Sequence, residues 1–331
     1  MSFIASLRHR WHQHHSLAPE SDESGFTLIE LLVTIILASG IVAGVMYLAV
    51  EVLQADQRES DRTETQRDMQ AALTFMESEL RQAVFVYDAN CLAGVPDDPA
   101  SPDLACDGLD AAWGLNLPGD MEPVLAFWRL QPFPPAVQAA CAGGTANADV
   151  PCLSGNSYTL VVYSLGTRDG GGDDLAALKG EAGIFRSEMS IAEPTAAGYI
   201  SPFRGAVASF RNWPDGDGFA ATNRPTFSEP ALLVDYVDSG AGSLGAGDAP
   251  SCPTPTDFYQ LTPNDAAGVP RSFYACVSNS DVDSATAGNQ DVVLYLRGDA
   301  VGRSGLQRDG SFLPTLESRV FIRGTLDKSP V

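Results

Sequence analysis

The sequence predicts an α+β protein: one long N-terminal helix, apolar in its first half and amphipathic in its second, packed on an antiparallel β-sheet head with long, disulfide-capable loops. Three observations lead there. Residues 26–50 form an unbroken apolar run with a single charge. Residues 51–86 continue with no glycine or proline but with an abrupt change of polarity. Beyond Asp88, short β-prone runs alternate with Gly-, Pro-, Asp- and Ala-rich stretches that hold all six cysteines.

The apolar run, FTLIELLVTIILASGIVAGVMYLAV, has 25 residues from Phe26 to Val50 and is long enough to cross a bilayer as a helix. A secretory signal cut after Ala38-Ser39-Gly40 is the competing reading, but the apolar core of a signal is about 7–15 residues and carries no carboxylate near its start. Glu30 is such a carboxylate. Inside a span it costs about 2.5–3.5 kcal/mol, so it needs a partner or an interfacial position. Gly40 and Gly44 form a G-x-x-x-G pair that permits close helix approach. The alternative is a weak spot where the helix stretches or melts on packing, since an interior glycine costs about 1 kcal/mol relative to alanine.

The pattern predicts that the same helix continues to about Val86, roughly 90 Å from Phe26 at about 1.5 Å per residue. Met69, Leu73, Met76, Leu80 and Ala83 recur at helical spacing, so one stripe faces a core; so few turns are weak support for a coiled coil. Glu59 with Arg62, Glu64 with Arg67 and Glu77 with Arg81 are spaced for surface charge pairs. The stretch 51–66, poor in large apolar residues, reads as an exposed neck.

In the head, PVLAFWRL (123–130), SYTLVVYSLG (157–166), ALLVDYVD (231–238), DVVLYLRG (291–298) and SRVFIRG (318–324) read as strands of an antiparallel sheet. The continuous LVVY predicts a central strand covered on both faces. Cys91, Cys106, Cys141, Cys152, Cys252 and Cys276 all follow the apolar run, which suits an oxidising compartment. Six cysteines allow 15 connectivities. Pairing of neighbours, Cys91–Cys106, Cys141–Cys152 and Cys252–Cys276, staples one loop each.

The net charge of −22 argues against nucleic-acid binding. All four histidines lie within the first fifteen residues, so the chain beyond them holds no Ser/His/Asp triad, Cys/His pair or His-ligated metal of its own. A zinc site finds no C-x-x-C pair either. Gly240 to Gly245 matches G-x-G-x-x-G, but Pro250, Pro253 and Pro255 stand where a phosphate-binding helix should begin. Asp169, Asp173 and Asp174, and Asp215 with Asp217, sit in glycine turns that offer oxygen ligands to calcium without the spacing of an EF-hand; solvated turns are the simpler reading. Carboxylate-based glycoside hydrolysis lacks any identifiable cleft. No cofactor and no enzymatic activity are expected.

The run Gly25-Phe26-Thr27-Leu28-Ile29-Glu30 resembles the type IV prepilin processing motif. The resemblance implies a leader of residues 1–25 removed by prepilin peptidase after Gly25, a new N-terminus at Phe26 that is N-methylated, and Glu30 as the subunit-assembly carboxylate. Residues 26–50 then form the transmembrane and assembly helix, 51–88 its amphipathic continuation, and 89–331 the head. The physical logic stands beside the name: an ammonium on Phe26 needs a counter-charge in an apolar filament core, and Glu30 supplies it, from a neighbouring subunit or from the same helix.

LLVTIILASGIV, AALTFMESELRQAVFVYDA and PVLAFWRLQ extend the resemblance to PilW-type and type II secretion J-type minor pseudopilins, the cyanobacterial hormogonium polysaccharide secretion pseudopilins among them. It covers mainly residues 25–130 and loosely the strand at 157–166. It implies a single-pass inner-membrane protein with its head in the periplasm, or outside the cell once in a filament. The implied partners are other major and minor pilins or pseudopilins and the inner-membrane assembly platform, and the implied role is polysaccharide secretion and gliding motility. Arg8 and Arg10 before the span against Arg58, Arg62 and Arg67 after it do not by themselves favour that orientation. The alternative function is a stem-anchored surface binding module for polysaccharide or an adhesion ligand, calcium-dependent or not, with Trp113, Trp128 and Trp213 available to stack on sugars.

Overall fold

The computed structural model describes residues 25–93, 109, 121–146, 150, 152–168, 175, 178–190, 210, 213, 227–239, 251–254, 258–263, 272–278, 289–300, 303 and 313–323. The chain divides into two compact units, Met1–Leu53 and Gln54–Val331. Helix α1, Leu28–Leu80, begins in the first and continues into the second.

The helix therefore ends six residues before the expected Val86. Arg81 and Gln82 turn the chain, and Ala83–Val86 forms strand β1 instead. Ala83, expected on the helical stripe, belongs to the sheet. The reason is non-local: Phe85 and Val86 pair with Trp128 and Phe127 of strand β2, Glu122–Pro132, and ladder pairing of aromatic and β-branched residues outweighs helix continuation.

Short helix α2, Ala89–Ala93, follows β1. Strands β3, Asn156–Thr167, β4, Ala182–Ser190, and β5, Ala231–Val237, complete a five-stranded antiparallel sheet in the order β1-β2-β3-β4-β5. Strands β6, Tyr259–Thr262, β7, Phe273–Ser278, β8, Asn289–Arg297, and β9, Thr315–Arg323, form a second antiparallel sheet in the order β6-β7-β8-β9. All five strands expected from the sequence are present, but they fall in two sheets.

One core joins both sheets to the helix. Met69, Leu73, Met76 and Leu80 of α1 pack with Phe127, Val161 and Ile184 of the first sheet and Phe273, Val292 and Val320 of the second. The opposite face of β3, Leu160 and Val162, is covered by Tyr87, Trp128 and Trp213, so the LVVY stretch is buried on both faces as expected. Close approach of the helix is made possible by Gly298, whose isolated bridge to Val237 joins the ends of β8 and β5. A Cβ there would lie 2.2 Å from Met69 Sδ and 3.2 Å from Thr65 Cγ2. Packing against the head begins near Asp61–Thr65, so the exposed neck is slightly shorter than 51–66.

At the β2–β3 connection, helix α3, Pro135–Ala142, has no buried residue. It is shaped by the Cys141–Cys152 disulfide, by Gln138 Nε2 donating to the Phe133 carbonyl at 2.6 Å, and by Gly144 and Gly155 at positive φ. The Cys252–Cys276 bridge also forms as expected and fastens its segment to the centre of β7. Cys91 is disulfide-bonded; its expected partner, Cys106, lies outside the described residues.

Candidate functional site

Gly25, Phe26 and Thr27 precede the helix, with Phe26 80% exposed. The Thr27 carbonyl accepts the N–H groups of Glu30 at 3.0 Å and Leu31 at 3.1 Å, and Thr27 Oγ1 also accepts the Glu30 N–H at 3.3 Å. Thr27 is thus the N-cap and Glu30 occupies the third helical position, the spacing of a capping box. Its carboxylate sits where the helix dipole favours negative charge. T-x-x-E before an apolar run is the sequence form of this capping role, which Glu30 holds beside the assembly role expected of it.

From Leu28 to Leu53 every large apolar side chain is exposed, and α1 is the one helix among the described residues long and apolar enough to cross a membrane. So large an uncovered apolar surface marks a segment meant for lipid or other protein. A Cβ at Gly40 or Gly44 would meet open space, so packing inside this chain does not explain either glycine. Their spacing remains available to a neighbouring helix.

Comparison with protein-family models, with curated proteins and with solved structures finds no match.

Among the described residues of the head, the densest polar constellation joins residues far apart in sequence. Glu79 on α1 is 5% exposed and receives Nε and Nη2 of Arg186, both at 2.9 Å, Nη1 of Arg129 at 3.2 Å, and the hydroxyl of Tyr163. Glu188 closes the network, 2.8 Å from Arg186 and 3.3 Å from Arg129. Burial alone would raise the Glu79 carboxyl; hydrogen bonds from Arg186 and Tyr163, with the charges of both arginines, outweigh it and hold the group below its usual value. Burial and the adjacent Glu79 charge push the Tyr163 phenol up, so it stays a proton donor. The cluster clamps the end of α1 to β2, β3 and β4.

A second clamp holds the neck side. Arg303 reaches Glu64 at 2.8 Å and Asp68 at 2.7 Å and lies 4.2 Å from the centre of the Tyr236 ring. Glu64 was expected to pair with Arg67; the long-range partner takes it instead. Glu77 does pair with Arg81, at 3.2 Å. On the second sheet, Asp291 accepts from Tyr259 and Arg319.

Trp128 and Trp213 are 0% and 1% exposed, packed edge to face, so neither offers a ring to a sugar. Trp128 Nε1 donates to the Tyr87 hydroxyl at 2.9 Å, which donates to the Phe210 carbonyl at 3.0 Å. Trp113 and the calcium candidates Asp169, Asp173, Asp174, Asp215 and Asp217 lie outside the described residues. Among the described residues, no group of three or more His, Cys, Asp or Glu side chains is placed to hold a metal.

Proposed function

We propose that this chain is a minor pseudopilin of a type IV pilus-like or type II secretion-like machine. Prepilin peptidase cuts after Gly25, Phe26 is methylated, and the exposed apolar half of α1 holds the protein in the inner membrane with its head in the periplasm. An assembly platform then moves it, with other major and minor pilins or pseudopilins, into a short filament or tip complex that supports polysaccharide secretion and gliding motility. Its role is structural rather than enzymatic.

One observation carries the reading: Gly25-Phe26-Thr27-Leu28-Ile29-Glu30 stands at the start of an uncovered apolar helix that leads into a head containing disulfides. The exposed helix needs lipid before assembly and protein after it, and Glu30 gives the new amine of Phe26 a counter-charge in either setting. The test is the intact mass and N-terminal sequence of the protein from its native membrane. A chain that begins at Phe26 with one extra methyl group is expected; one that retains Met1 or begins near Ile41 overturns the proposal.

A further inference from the structure

Between the second half of α1 and strand β5 lies an open groove, lined by Asp68, Ala71 and Phe75 on the helix and by Leu233, Val234 and Asp235 on the strand. Strand β5 is the last of its sheet; among the described residues its other side meets a strand only at the Val237–Gly298 bridge. One large apolar side chain of the lining stands in the open, Phe75 at 43% exposure. Two carboxylates line it: Asp68, whose side chain is 45% exposed although it reaches Arg303, and Asp235, whose oxygens accept the N–H groups of Lys179, Gly180 and Tyr236.

We propose that this groove seats a basic amphipathic helix from a different subunit of the same filament, which places one large apolar side chain beside Phe75 and Leu233 and a Lys or Arg three or four residues away against Asp68. Charge selects this occupant. A second copy brings a net charge of −22, and the large apolar residues of its exposed neck, Val52 and Leu53, have Asp56 rather than a Lys or Arg three or four residues away. An anionic lipid surface is repelled by the same carboxylates. A helix with an apolar and a basic residue on one face satisfies both the apolar and the acidic lining. That the partner is a fellow subunit rests on the pseudopilin reading; the groove's chemistry does not.

The test places a photo-crosslinking phenylalanine analogue at position 75 of the full-length protein in native membranes and sequences the captured peptide. The expected capture is a helix of another filament subunit with Lys or Arg three or four residues from a large apolar residue. The yield should fall about two- to fivefold in Asp68→Asn, the worth of an exposed ion pair, and be lost in Ala71→Arg, which fills the groove and repels a basic partner. Ala71 is exposed, and thermal melting checks that the variants stay folded. Capture of a second copy, of lipid or of an acidic peptide overturns the proposal, as does no capture from folded protein or a yield indifferent to Ala71→Arg. The N-terminal mass of the same sample separates the two readings: a methylated Phe26 without capture removes the groove proposal alone, whereas capture of a basic helix by an unprocessed chain removes the pseudopilin reading alone.

Discussion

The side-chain amide of Gln290 bonds the main chain of Val86 at two points, accepting its N–H at 2.8 Å and donating to its carbonyl at 2.7 Å. A residue of β8 thereby acts as a strand neighbour for β1 and ties the two sheets together across 204 residues of sequence. Gln290→Leu leaves a buried donor and acceptor without partners and should cost about 2 kcal/mol, read from the denaturant midpoint. A midpoint equal to wild type would show that the sheets do not depend on this link.

The Glu79 clamp predicts a pH dependence. Because the folded carboxyl lies below its ordinary value of 4.5, the unfolded chain binds the proton first; the stabilisation is complete above 4.5 and is lost as pH falls through the lower folded value. Glu79→Ala should cost about 3–5 kcal/mol at neutral pH, since it leaves Arg129 and Arg186 under-compensated in a buried site. Glu79→Gln should flatten the acid limb of the stability curve below pH 4.5. An unchanged acid limb would remove Glu79 as its origin.

At Gly298 the limiting quantity is space. Gly298→Ala drives a methyl group against Met69 and should cost about 1–3 kcal/mol by overpacking. In a double-mutant cycle with Met69→Ala, part of that cost should be recovered, because the cavity left by one change accepts the other. Strict additivity would mean that the two residues do not compete for volume.

For assembly, Glu30→Ala should be cleaved and methylated as wild type yet fail to support secretion or motility. Both processing, by mass, and function, by secretion and gliding assays, are measured in one strain. Wild-type secretion or motility in this variant counts decisively against the assembly role.

What the sequence disclosed was whatever is written locally. The stripe Met69, Leu73, Met76 and Leu80, the LVVY strand and the neighbouring cysteine pairs each declare themselves within a few dozen residues, by period, composition or loop length. What it hid depends on distant partners. AVFV at 83–86 reads as more helix until β2 is present to pair with it. Strand β4 carries Arg186 and Glu188 two apart on the face turned to the helix, which disguises a buried strand as a polar stretch until Glu79, 107 residues away from Arg186, is seen to share Arg186 with Glu188. The candidate processing and assembly residues stand together in one six-residue motif, and T-x-x-E within it also spells the Thr27 cap.

The connection between β2 and β3 takes its shape from a covalent bond, from Pro134 and Pro135 at the start of α3, and from two turn glycines, while burying none of the side chains of α3. The sequence of α3 is therefore uncoupled from the core: residues there can drift or be exchanged while the buried Phe133 and the register of β2 and β3 are kept. Such a segment is free to diverge under selection for what it meets outside the protein, and among related chains it should be the first part to vary and the safest place to graft a foreign epitope.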